Sequence, residues 1–149
     1  MATTAAITLS SDIMSNFGGY SKTMTLTQGG TVTDIDMTTG LQRRKLTSTT
    51  ATDLIIMADA SLIVETKDST AAKVFIKNIG DGKGTVDKST YVSISLGTAG
   101  GTTQEISKLY GGDWLLVPLT GIDVTGDVYA TAENDNAVVL EYVMFYEEN

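Results

Sequence analysis

Apolar and polar residues alternate with a period of two along much of this chain. Because successive side chains of a strand point to opposite faces of a sheet, the alternation predicts short β-strands. The predicted strands, in chain order, are residues 4–10, 23–27, 73–78, 91–96, 114–118, 128–131 and 137–146. The last of these has apolar residues on both faces, so we expect it in the centre of a sheet or at an interface.

Glycines and Asx residues separate the predicted strands and indicate turns. We predict one hairpin through residues 28–30 into a strand that ends at Met37, and a second that joins residues 73–78 to 91–96. Pro118 lacks an amide donor and is therefore expected at a strand end or a sheet edge. Two segments are less regular. Residues 11–14 are predicted to form one helical turn. Residues 53–66 are predicted to form either two buried strands or one short helix.

Eight to ten short strands without helical periodicity predict an all-β fold, an antiparallel β-sandwich or jelly roll. The 149 residues suit a single domain with one core, so we assign residues 1–149 to one β-sandwich domain. Residues 1–20 are a candidate extended N-terminal arm that adds a strand to a neighbouring molecule. The alternative is a first strand in the sheet of its own chain. No fixed repeat is visible, which disfavours a propeller or solenoid.

Composition narrows the functional classes. The 24 threonines and 11 serines favour strands and a hydroxyl-rich surface. A net charge of −8 repels phosphate backbones, so we expect no nucleic-acid partner. No apolar run approaches the roughly 20 residues of a membrane-spanning helix, and we expect no membrane insertion. The first residues lack both a positive leader and a long apolar segment, so no secretory signal is expected there.

The chain contains no cysteine and no histidine, which excludes disulfides, thiolate nucleophiles and histidine-based catalytic triads. Paired carboxylates remain the conceivable catalytic groups, but no spacing singles out a pair. We therefore predict a protein that is not an enzyme and has no cofactor. The candidate carboxylates are those of Glu105, Asp113, Glu133 and Glu141.

Two loop motifs suggest ligands only weakly. The glycine-rich residues 80–84 lack both the hydroxyl after the lysine and the following helix of a phosphate-binding loop, so a turn is predicted. Asp81 with Asp87, or Asp123 with Asp127, offers oxygen ligands for calcium, but neither pair has the spacing of a calcium loop. We predict no metal site.

Residues 38–46 are predicted to form a loop that carries three adjacent cations, Arg43, Arg44 and Lys45. The loop either contacts an acidic partner surface or is merely solvated. The aromatic pairs Trp114 with Tyr110, or Tyr142 with Tyr146, suggest a platform for sugar stacking. A single Trp at the start of an apolar strand is usually buried, so we expect Trp114 in the core.

The second half of the chain resembles a known family. The pattern comprises a strand that ends in Asn78, the alternating strand 91–96, an approach through residues 106–109 to Gly112, Asp113 and Trp114, a strand that closes at Pro118, and the final strand 139–145. In this order the segments are similar to small virion structural proteins of tailed bacteriophages, particularly those of cyanobacterial phages. The resemblance covers residues 73–146, about half of the chain.

This resemblance implies a jelly-roll protein without catalytic activity that decorates or cements a capsid. It implies a homo-oligomer, in most cases a homotrimer, that sits on the outer shell of the virion and clamps subunits of the major capsid protein. Such a protein is made in the host cytoplasm. Related jelly rolls also serve at the neck, tail or fibre, where a host surface glycan would be the ligand. A carbohydrate-binding module is a third alternative.

Overall fold

The computed structural model describes residues 4–9, 20–25, 37–38, 40–47, 49, 52–55, 72–81, 89–97, 103–119, 127–134 and 137–146. All regular secondary structure in these residues is β-strand. The strands are β1 (Thr4–Leu9), β2 (Tyr20–Thr25), β3 (Met37–Thr38), β4 (Gln42–Leu46), β5 (Thr52–Ile55), β6 (Ala72–Asn78), β7 (Tyr91–Gly97), β8 (Thr103–Tyr110), β9 (Trp114–Leu119), β10 (Asp127–Ala132) and β11 (Val138–Tyr146).

The strands form two main antiparallel sheets and one two-stranded pair. The small sheet has the order β5-β10-β7-β8. The large sheet has the order β9-β6-β11, and β3 and β4 both pair with the remaining edge of β11. Strand β1 pairs with β2 in a separate two-stranded sheet. The predicted all-β antiparallel sandwich is confirmed, whereas the finer prediction of jelly-roll connectivity stays a prediction.

One hydrophobic core lies between the two main sheets. Alternate residues of β6 and β11 point inward from the large sheet, as Val74, Ile76 and Leu140 do, and each of these is at most 1% exposed. From the small sheet Val92 and Ile94 of β7 meet them with no exposed surface. Burial of a side chain of this size stabilises a fold by about 1.5–3 kcal/mol, so this alternation is the main reason that the strands associate.

Asn78 fastens the two sheets together at one end of the core. Its side-chain Nδ2 donates a hydrogen bond of 2.9 Å to the carbonyl oxygen of Leu109 in β8, and its Oδ1 accepts one of 2.9 Å from the amide of Gly80. Its backbone amide donates to the carbonyl oxygen of Asp113, and its own carbonyl oxygen accepts from the amide of Gly112. The corner between β8 and β9 is thereby bound to the end of β6.

The predicted loop at residues 38–46 is wrong. Residues 42–46 form strand β4, which pairs with β11 so that Arg43 lies opposite Glu141 and Leu46 lies opposite Val138. Leu46 is only 2% exposed, whereas the four residues before it are exposed. Backbone pairing with β11 and the burial of Leu46 outweigh the polar composition of the segment, and charged residues are common on edge strands.

The predicted hairpin between residues 73–78 and 91–96 is also wrong, although both segments are strands. β6 pairs with β9 and β11 in the large sheet, and β7 pairs with β8 and β10 in the small sheet. Beyond the end of β6, the amide of Ile79 donates to the carbonyl oxygen of Val139, and the carbonyl oxygen of Gly80 accepts from the amide of Val139. The ladder with β11 therefore continues past the strand end.

Other expectations have clear outcomes. β11 lies inside the large sheet between β6 and the β3–β4 edge, as its two apolar faces predicted. Pro118 lies in the edge strand β9. An edge strand pairs on one side only, so it tolerates a residue that has no amide donor. Residues 11–14, the turn at 28–30, the glycine-rich residues 82–84 and residues 56–66 lie outside the described part of the chain. Of the strand expected after the first turn, Met37 is described, and it pairs with Tyr146 of β11.

Candidate functional site: the outer face of the large sheet

The large sheet has a second face that points away from the core, and this face is rich in apolar and cationic residues. We call it the outer face. Its members are the residues that alternate with the buried ones along β4, β6, β9 and β11. They are Arg43, Lys45, Lys73, Phe75, Lys77, Trp114, Leu116, Pro118, Val139, Glu141, Val143 and Phe145.

The strand register places the apolar members of the outer face side by side. Phe75 in β6 lies opposite Leu116 in β9 on one side and Val143 in β11 on the other. Residues directly opposite each other in antiparallel strands have Cβ atoms about 5 Å apart, so these three side chains form one continuous row. Phe145 and Pro118 lie on either side of Lys73 in the next row. The centre of the outer face is therefore apolar.

Trp114 is exposed in the neighbouring row, so its expected place in the core is wrong. It begins β9 opposite Lys77 and keeps 45% of its surface exposed. Its ring packs on Phe75 with a centroid distance of 6.1 Å and an interplanar angle of 32°. The inward positions of β9 go to Leu115 and Val117, which pack against the core. The strand phase, and not the size of the indole, decides which face Trp114 takes.

The charged members of the outer face are mostly basic. Arg43 donates from Nε to Oε1 of Glu141 at 2.8 Å, and its terminal nitrogen is 2.6 Å from the same oxygen. Lys45, Lys73 and Lys77 share the face with them. Four cations and one carboxylate thus lie on one face of a chain whose net charge is −8.

The cluster of three adjacent cations in the sequence is divided between the two faces of the large sheet. Arg43 and Lys45 belong to the outer face, whereas Arg44 lies opposite Leu140 in the inward phase of the edge strand and stays exposed. Burial raises the pKa of Tyr142 above its ordinary value of 10.0, and the positive charge of Arg44 partly offsets that rise.

The small sheet carries a different group of side chains on its outward face. The rings of Tyr91 and Tyr110 meet edge to face, with centroids 5.4 Å apart, and Nζ of Lys108 lies 4.7 Å from the Tyr91 ring centroid. Lys108 also pairs with Glu105 at 3.8 Å. The Glu105 carboxylate, followed by Tyr91, raises the pKa of this exposed lysine.

The aromatic pairs proposed from the sequence are not brought together as one platform. Trp114 contacts Phe75 on the large sheet, whereas Tyr110, which is 40% exposed, contacts Tyr91 on the small sheet. Tyr142 is inward and 7% exposed, and the side chain of Tyr146 lies outside the described part.

Each of the four candidate carboxylates has a local partner. Asp113 accepts from the amide of Tyr110 at 3.0 Å, and Glu133 accepts from the amide of Tyr91 at 3.4 Å. Glu105 accepts from the hydroxyl of Ser93, and Glu141 accepts from Arg43. These contacts hold turns and pair strands. Of the proposed calcium ligands, Asp87 and Asp123 lie outside the described residues, and no group of three metal-ligating acids occurs within them.

The sequence contains one local signal for the outer face. Strand alternation in residues 73–78 puts Lys73, Phe75 and Lys77 on one face, but an apolar residue between two lysines does not by itself indicate a surface patch. The contribution of β4 was missed because that segment was assigned to a loop. Only the register of four strands shows that these residues are neighbours.

No protein-family model matches the chain, and no curated protein matches it significantly. Within the described ranges, there is no helix long and apolar enough to cross a membrane.

Proposed function

We propose that this chain is a structural protein of a tailed-phage particle without enzymatic activity, a decoration or cement protein that binds the outer surface of the capsid and stabilises the shell. The observation that carries the proposal is the outer face. It combines an apolar centre, an exposed Trp and a charged border, which is the usual composition of a protein–protein contact. The partner is then the major capsid protein, and the place of action is the surface of the virion.

Two further features support this proposal. Segments that carry the resemblance to phage proteins meet in one corner, where Asn78 binds Leu109, Gly112 and Asp113. The excess of acid in the whole chain also suits a protein that stays on the outside of a shell filled with nucleic acid. A jelly-roll topology and a homotrimer belong to the same proposal. Many copies on one lattice need only weak attachment at each site.

Attachment to shells is the direct test. Capsid shells of tailed phages, prepared without their decoration proteins, are mixed with the purified chain and sedimented. We expect saturable co-sedimentation and a higher melting temperature of the shell that binds the chain. Light scattering tests the trimer separately and should give three times the 15.7 kDa of one chain. If the chain co-sediments with none of the shells and changes none of their melting temperatures, the proposal is contradicted.

The exposed ring of Trp114 favours a second candidate, a tail, neck or fibre component that binds a host surface glycan, or a carbohydrate-binding module. This candidate predicts attachment to host cells and a change in Trp114 fluorescence on addition of soluble glycans. Because Trp114 is the single Trp of the chain, its emission reports on this face alone. An unchanged emission spectrum across a glycan panel, together with attachment to shells, would decide for the decoration protein.

A further inference from the structure

The outer face differs in charge from the rest of the molecule. Arg43, Lys45, Lys73 and Lys77 lie on it, and Glu141 is its single acid among the described residues. The whole chain has a net charge of −8, so the rest of the molecule is acidic while the outer face is basic. Complementary charges guide partners to one another and exclude wrong ones. The occupant of this face should therefore be acidic.

The apolar row restricts the occupant further. Phe75, Leu116 and Val143 lie side by side, and Trp114 adds to this apolar surface from the next row, where its ring packs on Phe75. Aliphatic side chains do not stack on nucleic-acid bases, and a chain of net charge −8 is repelled by phosphates. Aromatic and aliphatic side chains bordered by charge are typical of contacts between proteins. These properties favour a protein surface with an apolar centre.

A second copy of this chain fits the outer face poorly. A two-fold dimer would place the same patch on both sides and so bring its cations against one another. The small-sheet face of another copy lies on the opposite side of the sandwich, so pairing it with the outer face would stack the molecules in an open row.

Size indicates a weak contact. Five residues along a strand and three strand spacings give a patch of roughly 16 Å by 14 Å. The area of this patch, about 220 Å², is well below the roughly 800 Å² that each partner contributes to a standard stable interface.

We infer that the outer face of the large sheet, centred on Phe75, Leu116 and Trp114 and bordered by Lys73, Lys77 and Arg43, binds an acidic protein surface that has an apolar centre. The inference rests on the proposed function in so far as that surface belongs to a capsid shell, where many weak contacts add up.

The test uses three synthetic peptides of equal length and the emission of Trp114. One peptide alternates leucine and glutamate, the second leucine and lysine, and the third serine and glutamate. We expect a saturable blue shift with the leucine–glutamate peptide, and binding at least about tenfold weaker for the other two, because each lacks one half of the complementarity. Comparable binding of the leucine–lysine peptide, or no saturable shift with leucine–glutamate, would overturn the inference.

Matched variants locate the site. Lys77→Glu reverses one charge on the outer face, and Lys108→Glu reverses one on the outward face of the small sheet. We expect Lys77→Glu to weaken the binding of the leucine–glutamate peptide about fivefold or more. The affinity of Lys108→Glu for the same peptide should stay within about twofold of that of the unaltered chain. Both lysines are in strands and outside the core, and circular dichroism checks the fold. Equal effects of the two variants would remove the outer face as the site.

Other occupants give distinct results. A mass that rises with concentration and falls in Lys77→Glu would assign the face to a second copy, and tighter binding of a single-stranded oligonucleotide would assign it to nucleic acid. Both results contradict the inference. Failure here is separate from failure of the proposed function. Attachment to shells without peptide binding would contradict the inference and leave the proposed decoration role intact. Peptide binding without attachment to any shell would support the site for an acidic partner and contradict the proposal that the partner is a capsid.

Discussion

The side-chain amide of Asn78 in β6 donates a 2.9 Å hydrogen bond to the carbonyl oxygen of Leu109 in β8. This bond joins the large sheet to the small sheet at a buried position, since Asn78 is only 1% exposed. With its Oδ1 bound to the Gly80 amide, both polar ends of the side chain are satisfied. An asparagine is suited to this place because it supplies a donor and an acceptor without a charge.

Removal of the Asn78 side chain should be costly. In Asn78→Ala the carbonyl oxygen of Leu109 and the amide of Gly80 both lose a buried partner, and we expect a loss of about 3 kcal/mol in the free energy of unfolding, measured by urea denaturation. Asn78→Asp is the matched control, because its carboxylate still accepts from Gly80 but does not donate to Leu109. A loss below about 1 kcal/mol in the alanine variant would show that water replaces the side chain.

The aspartate variant has a further consequence for pH dependence. Burial next to a carbonyl oxygen raises the pKa of a carboxyl group in the folded state above its unfolded value of about 3.9. Such a group favours folding at low pH and loses that stability as the pH rises through the folded pKa. The difference in stability between Asn78→Asp and the unaltered chain should therefore be smaller at about pH 4 than at about pH 7.

Gly40 lies between β3 and β4 with a φ of +72°, and its amide donates to Oγ1 of Thr38 at 3.1 Å. A Cβ at this position would meet no atom within 4 Å, so a substitution is strained only by its backbone conformation. We expect Gly40→Ala to lower the free energy of unfolding by about 1 kcal/mol, and Gly40→Asn to lower it less, because asparagine adopts positive φ more readily. Equal stability of the alanine variant and the unaltered chain, measured in urea, would contradict this expectation.

The register of β3 and β4 on β11 explains the positive φ of Gly40. Thr38 lies opposite Phe145 and Gln42 lies opposite Tyr142, so four steps along one side match three along the other. One additional residue in an antiparallel pair forms a bulge, which glycine at positive φ accommodates.

Tyr142 should make the protein sensitive to alkali. Its burial raises the folded-state pKa above the value of 10.0, because the tyrosinate loses solvation. The unfolded chain then releases this proton first as the pH rises. The contribution of Tyr142 is fully present below about pH 10 and is lost as the pH passes through the higher folded pKa. Urea denaturation at about pH 8 and about pH 11 should show a smaller loss in Tyr142→Phe than in the unaltered chain. Equal losses in both chains would mean that Tyr142 titrates normally.

The Arg43–Glu141 pair should contribute little to stability. The Arg43 side chain is 68% exposed and that of Glu141 is 16% exposed, so water and salt screen most of the attraction. A double-mutant cycle with Arg43→Gln and Glu141→Gln should give a coupling of about 0.5 kcal/mol that decreases in high salt. A coupling above about 2 kcal/mol, insensitive to salt, would show that the pair is desolvated.

Local patterns predicted which residues form strands far better than they predicted which strands are neighbours. Residues 73–78 and 91–96 were recognised as strands, yet they lie in different sheets, because the ladder of β6 with β11 continues through Ile79 and Gly80. Residues 42–46 were missed because their polar composition outweighed a single buried residue, Leu46. The candidate site was predicted in fragments only, as the strand 73–78 and as the cationic cluster of Arg43, Arg44 and Lys45.

The all-β class and the faces of β6, β7 and β11 follow from the sequence by itself, because strand alternation is a local property of consecutive residues. Tertiary structure alone decided the pairing of strands, the exposed place of Trp114 and the assembly of the outer face. Trp114 begins β9 in the phase that puts Leu115 and Val117 in the core, and it meets Phe75 only through the β6–β9 register. Register is set by the packing of residues far apart in the chain, which no local pattern contains.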